Sequence, residues 1–329
     1  MKPGKPSEDG AALLAVLLLV AIMAALAVAS FERLQLATRL AGNIAALDQS
    51  RAFATGAESL AILRINDLLV RDRNKTTLAG EWLGQETALP LPGGGVALAR
   101  LWDGSNCFNL NSVANGGDPA ALTIDQIGVI QFTALMTALQ IPRGDAEQIA
   151  WSLADWIDAD SLPARLGNED RSYSRADSSY RTGNTLMAEV SELRAVAGVS
   201  PAYYERMRPW LCALPTTELS PINVNTLVPE QAPLIAMLIP NRLDANGASQ
   251  AIAARPEAGW NSVADFWNQP VLADQQPMTE IISQPQIRTR YFRLELDVRL
   301  GEVELSQSAL IDASIAPARV VSRRWGRDE

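Results

Sequence analysis

The chain contains no histidine and only two cysteines, Cys107 and Cys212. The lack of histidine removes histidine triads, histidine-ligated zinc sites and the commonest general base. Two cysteines cannot build a four-cysteine zinc site. They can form one disulfide in an oxidising compartment, or serve as two small buried apolar residues. Lysine is absent after Lys75, and the formal net charge is −9. That balance argues against a phosphate backbone as the main partner, because such proteins present a basic face. Proline is missing between Pro6 and Pro90, so nothing in that stretch forbids one continuous helix.

What that stretch contains is an unbroken apolar run, residues 11–29, directly after Gly10. Nineteen residues at about 1.5 Å each cover about 28 Å, close to the hydrocarbon thickness of a bilayer. Three readings compete. A cleaved signal peptide would use Lys2 and Lys5 as its basic start and Ala27-Val28-Ala29 as its cut site, but its apolar core is usually roughly 7–15 residues. A plain membrane anchor is the second. The third is a pilin-like N-terminus, cut after Gly10, which keeps its apolar stretch. Beyond the run, Leu36, Leu40, Ile44, Leu47, Ala54, Ala61, Ile65 and Leu68 recur at helical spacing. The pattern predicts one helix over residues 11–70, lipid-facing first and amphipathic after. A signal peptide needs no such continuation, so the pilin-like reading is favoured and the anchor comes second. An exported chain also favours the disulfide between Cys107 and Cys212.

Residues 90–95 form a Pro/Gly break. Alternating residues 96–102, the turn 103–106 and residues 107–111 read as a hairpin. Helical patterns follow at 124–139, 144–159, 191–195, 201–211, 228–237, 249–254 and 262–267, kept short by Pro215, Pro221, Pro229, Pro233 and Pro240. Strand alternation returns at 292–300. It turns at Gly301-Glu302 and continues through Val303, Leu305 and Gln307 or the offset pair Ala309 and Ile311, with residues 319–325 as an edge strand. The expected fold class is α+β. A long N-terminal helix packs on an antiparallel sheet, and a large all-helical insertion splits that sheet in sequence. The expected boundaries are a leader at 1–10 and the helix at 11–72, transmembrane to about 30. The sheet domain begins over 73–122, a helical insertion with an acidic loop spans 123–215, a second helical subdomain spans 216–284, and the final strands lie in 285–329.

Asp155, Asp158 and Asp160 stand at a helix end, ahead of a loop with Glu169 and Asp170. Residues three apart share a helix face, and an oxygen-only set suits calcium. Leu162 and Pro163 fall where an EF-hand needs a ligand and a glycine, so the loop is not one. A solvated acidic loop is the ordinary alternative. A paired-carboxylate glycosidase ranks last, with no sugar-cleft signature behind it.

Five strings in order, with this architecture, resemble minor pseudopilin K of the bacterial type II secretion system. They are Gly10 with Ala11-Ala12-Leu13-Leu14, Phe108-Asn109-Leu110-Asn111, residues 155–160, Val190-Ser191-Glu192-Leu193-Arg194, and Ile222-Asn223-Val224-Asn225-Thr226. The resemblance covers nearly the whole chain. It implies cleavage by the prepilin peptidase after Gly10 and methylation of Ala11. The leader departs from the family in Glu8 and Asp9, where basic residues are usual. The glutamate that most pilins carry at the fifth mature position is Ala15 here, as is typical of this subunit, and that fits a place at the filament tip. The resemblance further implies calcium bound near Asp155, Asp158, Asp160, Glu169 and Asp170, a site that Asn168, Asp177 and backbone carbonyls could complete. It implies a single-pass bacterial inner-membrane protein with a periplasmic C-terminal domain and no enzymatic activity. Its partners would be the minor pseudopilins I and J, other pseudopilins and inner-membrane secretion components.

The helical block is similar to sterile-alpha-motif-like and helix-hairpin-helix units. Residues 193–199 and 222–226, with 251–255 and 259–266, carry that likeness. Helix-hairpin-helix units present backbone amides to DNA, so a membrane-tethered periplasmic DNA-binding protein is the rival function. The acidity and the missing lysines weigh against it, and no nucleic acid is expected.

Overall fold

The computed structural model describes residues 9–174, 179–275 and 277–326. Lys2, Lys5, Glu8 and Asp177 lie outside them. Helix α1 runs from Asp9 to Arg71, 63 residues or about 95 Å. Its first half carries exposed apolar side chains on every side, among them Leu13, Leu19, Met23, Val28 and Phe31. A helix apolar all round needs lipid or other helices around it. Ser30 and Thr38 return their hydroxyls to Leu26 O and Leu34 O at 2.7 and 2.8 Å, so they add no unpaired donor there. After Arg71 the helix gives way to a turn in which Asp72 Oδ1 accepts from the Asn74 and Lys75 N–H groups.

Packing onto the sheet is confined to the second half of α1. Ala54, Ala57, Ile65 and Leu69 are buried there, with Ala61 and Leu68 partly so. The expected apolar face from Leu36 to Leu68 is therefore divided. Leu36, Leu40 and Ile44 remain exposed because no part of the sheet reaches them.

The sheet has five antiparallel strands: β1 (Thr87–Leu91), β2 (Gly95–Asp103), β3 (Tyr291–Leu300), β4 (Val303–Asp312) and β5 (Arg319–Trp325), ordered β1-β2-β3-β4-β5. Val303, Leu305, Gln307, Ala309 and Ile311 form one strand with one facing, paired to β3 from Leu300↔Val303 to Tyr291↔Asp312. A bulge at Leu310/Ile311 interrupts the pairing with β5. The predicted hairpin over residues 96–111 is corrected. The true hairpin is β1–β2, with Leu91 opposite Gly95 across a turn where Gly93 and Gly94 both sit at φ +89°. Only glycine enters that region without steric cost. Strand β2 takes β3 as its other partner, from Val96↔Arg299 to Asp103↔Phe292. The segment Phe108–Asn109 instead pairs in parallel with Leu211–Cys212.

Between β2 and β3 lies the helical block: α2 (Gln126–Ala138), α3 (Arg143–Ile157), α4 (Asp170–Tyr173), α5 (Pro201–Met207), α6 (Ala232–Ala236), α7 (Ala245–Ala253) and shorter turns to Ile282. One hydrophobic core runs through both helical stretches, from Phe108 to Ile281, with Phe108 and Phe132 stacked at 4.8 Å. A second core lies between α1 and the sheet. At the neck of the block Cys107 and Cys212 form a disulfide, with Cα atoms 5.7 Å apart, beside the parallel pair Phe108↔Leu211.

One buried charge ties α1 to the far strands. Glu58, 4% exposed, accepts from Arg323 Nε and Nη2 at 2.8 and 2.6 Å and from Gln307 Nε2 at 2.6 Å. Arg323 keeps contact with water, which screens the pair. Glu58→Ala should lower unfolding free energy by about 2 kcal/mol with an unchanged denaturant slope. An unchanged midpoint would show that the clamp contributes nothing.

Candidate metal centre

Helix α3 ends at Ile157, with Asp155 in its last turn and Asp158 as its C-cap, φ −63° and ψ 165°. The chain then leaves as a loop closed by local bonds. Asp160 Oδ1 accepts from the Leu162 N–H at 2.7 Å. The Ala164 N–H sits 3.1 Å from both Asp155 oxygens, and Asn168 Nδ2 donates to Ser152 Oγ at 2.9 Å. Gly167 lies against Asp155 so closely that a Cβ there would fall 2.0 Å from Oδ2. The loop thus folds back over α3, and Glu169 arrives as the N-cap of α4.

Carboxylate oxygens of Asp158, Asp160 and Glu169 all lie within 4.8 Å of one another. Asp158 and Glu169 are buried and Asp160 is exposed. Among the described residues, Asp158 Oδ1 and Glu169 Oε1 are buried with no hydrogen-bond partner. Burial, together with Asp160, Asp155 and Glu169, pushes the Asp158 carboxyl up to about 7. Burial lifts Asp155 to about 6 against the bond from Ala164, with Asp160 adding to the rise. Glu169 is also raised, mainly by burial. Asp155 and Asp158 further stand at a helix C-terminus, where the dipole opposes negative charge. Three carboxylates held together against burial, repulsion and dipole are relieved either by protonation or by a cation. The donors are all oxygen, which suits a hard ion such as calcium.

The five predicted ligands therefore separate. Asp158, Asp160 and Glu169 converge. Asp155 holds the loop. Asp170 turns away, accepting from the Thr182 N–H and Oγ1 at 3.0 Å each, with Arg181 at 3.9 Å. Asn168 donates from Nδ2 to Ser152 Oγ. Pro163 and Gly167 mark in the sequence where the chain can fold back to bring Glu169 in, but the close approach of Gly167 to Asp155 is not legible there.

The two asparagine strings form buried polar staples. Asn109 Nδ2 donates to Thr216 O at 2.8 Å and its Oδ1 accepts from the Leu214 N–H at 3.0 Å. Asn111 Nδ2 reaches Met187 O and Leu214 O, and its Oδ1 accepts from the Met187 N–H at 2.7 Å. Asn223 Nδ2 donates to Thr76 O and Thr289 Oγ1, and its N–H goes to Asn106 Oδ1. Asp103, at the end of β2, accepts from Thr226 Oγ1 and Thr289 Oγ1 at 2.6 and 2.5 Å.

These bonds also bear on the nucleic-acid alternative. Every backbone N–H from Ile222 to Thr226 is donated inside the molecule, to Ser220 O, Asn106 Oδ1, Gln286 O, Asn223 Oδ1 and Asn223 O in turn. In the other unit the Ala197 N–H goes to the Tyr173 hydroxyl and the Val199 N–H to Val196 O. Amides already used this way are not free to hold phosphate.

Known proteins match this organisation. Family models described as "Type II secretion system (T2SS), protein K" match residues 106–216 and 222–284. The type II secretion system protein K of Klebsiella pneumoniae is 35% identical, with 97% of each chain covered. That of Pectobacterium carotovorum subsp. carotovorum is 33% identical over the same shares. A chain of the crystal structure of the GspK-GspI-GspJ complex from enterotoxigenic Escherichia coli superposes with a TM-score of 0.74 at 30% identity, covering 85% of this chain and 97% of that one. With near-complete coverage in sequence and agreement in fold, the chain belongs to the type II secretion system protein K family.

Proposed function

We propose that this chain is a minor pseudopilin that stands at the tip of the periplasmic pseudopilus and joins the minor pseudopilins I and J to initiate assembly and support export across the outer membrane. The observation that carries this is the divided helix α1, whose residues 12–29 are apolar on all sides while its second half is packed on the chain's own sheet. The exposed half first sits in the inner membrane and then among the helices of neighbouring subunits. The helical block of residues 108–282 is too bulky to be stacked within a filament and suits an end position. Ala15 supports the same place, since a terminal subunit has no successor whose N-terminal charge needs neutralising. The prepilin peptidase cuts after Gly10, and Ala11 is methylated. The chain is an assembly subunit rather than a catalyst, and the solved complex containing GspI and GspJ supports those partners. The full chain, extracted in detergent, should co-purify with I and J as a stable complex. Its intact mass should correspond to a start at a methylated Ala11. Failure to co-purify would leave a plain anchor, and an N-terminus at Met1 or Ser30 would refute the processing.

Asp158, Asp160 and Glu169 would hold the calcium, with Asp155 orienting the loop that carries Glu169. The unpartnered oxygens of Asp158 and Glu169 support this reading. Its pH dependence follows from the raised carboxyls. Without calcium the folded chain takes up protons between about pH 4 and pH 7, because Asp155 titrates at about 6 and Asp158 at about 7. The contribution of these groups to stability then falls as pH rises through that window. Calcium displaces the protons, so its stabilisation grows over the same window. The rise in Tm on adding calcium should be large at about pH 7.5 and nearly gone at about pH 5. A calcium shift that is absent, or equal at both values, would contradict the assignment.

A further inference from the structure

A cleft of about 890 Å³ opens on the helical block, walled by α2, α3, the loop before α4 and the segment leading into α7. Neither α1 nor the five-stranded sheet lines it, so filling it does not compete with packing through those elements. Ile130 and Leu166 line it while remaining 44% and 41% exposed, and half-buried Trp151 adds an aromatic face. Three arginines stand along it. Arg143 is engaged by Glu147 at 2.8 Å. Arg165 and Arg242 are exposed, and among the described residues neither guanidinium has an ion-pair or hydrogen-bond partner. Asp244, which also lines the cleft, caps α7 with Oδ1 accepting from the Gly247 N–H at 2.7 Å.

Two uncommitted guanidiniums beside exposed apolar surface are a selective combination in a chain of net charge −9. A small-molecule site buries most of its ligand in an enclosed pocket, whereas this lining stays open to water. We infer that the cleft is a docking groove for an acidic amphipathic peptide segment of another protein. Apolar side chains of that segment lie on Ile130, Leu166 and Trp151, and its carboxylates pair with Arg165 and Arg242. The wall is prepared in advance, because Arg165 and Leu166 ride on the loop that the Ala164 N–H ties to Asp155.

The test uses the full chain in a neutral phosphatidylcholine nanodisc with calcium present. The probe is a fluorescein-labelled peptide of about a dozen residues that alternates glutamate and leucine, compared with its lysine-for-glutamate counterpart. The acidic peptide should bind and the basic one should not. Arg165→Glu with Arg242→Glu should weaken the acidic peptide at least about tenfold and admit the basic one. Arg165→Ala and Arg242→Ala, each at an exposed position, should give intermediate losses with an unchanged Tm. Three results would overturn the proposal: no binding of the acidic peptide, equal binding to wild type and double variant, or equal binding of both peptides to wild type. Self-association of the wild-type chain that the double variant abolishes would assign the groove to a second copy and overturn it as well.

Discussion

One helix has to satisfy two surroundings. From Ala12 to Ala29, α1 offers apolar side chains in every direction, and from Ala54 to Leu69 it buries one stripe against a sheet of its own chain. Small residues make the second part work. Ala54 and Ala57 let the helix lie close to Ala97, Leu294, Leu296 and Val298, and Glu58 reaches Arg323 and Gln307 through that contact. A continuous helix transmits position along its length. Whatever holds the apolar half also fixes where the sheet, and the block behind it, stand.

The sheet is completed from opposite ends of the sequence, since β2 and β3 are adjacent strands separated by the whole helical block. Such an arrangement needs a defined junction. The disulfide Cys107–Cys212 closes the neck, and Asp103, Asn106, Asn223, Thr226 and Thr289 link the end of β2 to the block and to the start of β3. Buried amides and hydroxyls of this kind are costly when left unpaired and specific when satisfied. Here they fix the mutual placement of two separate cores, which apolar contact alone would specify less sharply. The Asn-rich strings that mark the family in sequence are these fasteners.

Much of this was legible in the chain. A proline-free run with helical spacing announced α1, and clean alternation announced β3 and β4. The acid pairs at the end of α3 announced the carboxylate cluster. The failures have physical causes. The second partner of β2 is about two hundred residues away (Val96 opposite Arg299), and local pattern carries no information on such pairing. Gly93 and Gly94 read as a break in the sequence, yet their left-handed backbone makes the β1–β2 turn. Leu36, Leu40 and Ile44 share helical spacing with Ile65, yet spacing reports a face and not how far the facing sheet extends. Asp170 adjoins Glu169, but the first turn of α4 sends its carboxylate to Thr182 instead.

The division of α1 is the claim on which the functional account rests. It is tested most directly by comparing thermal unfolding of the full chain in detergent with that of the chain lacking residues 1–45. The account predicts the same Tm for both, because the described residues before Ala46 are exposed and join neither core. A marked loss of stability in the shortened chain would contradict it, since the apolar half would then belong to the fold rather than to the membrane and the filament.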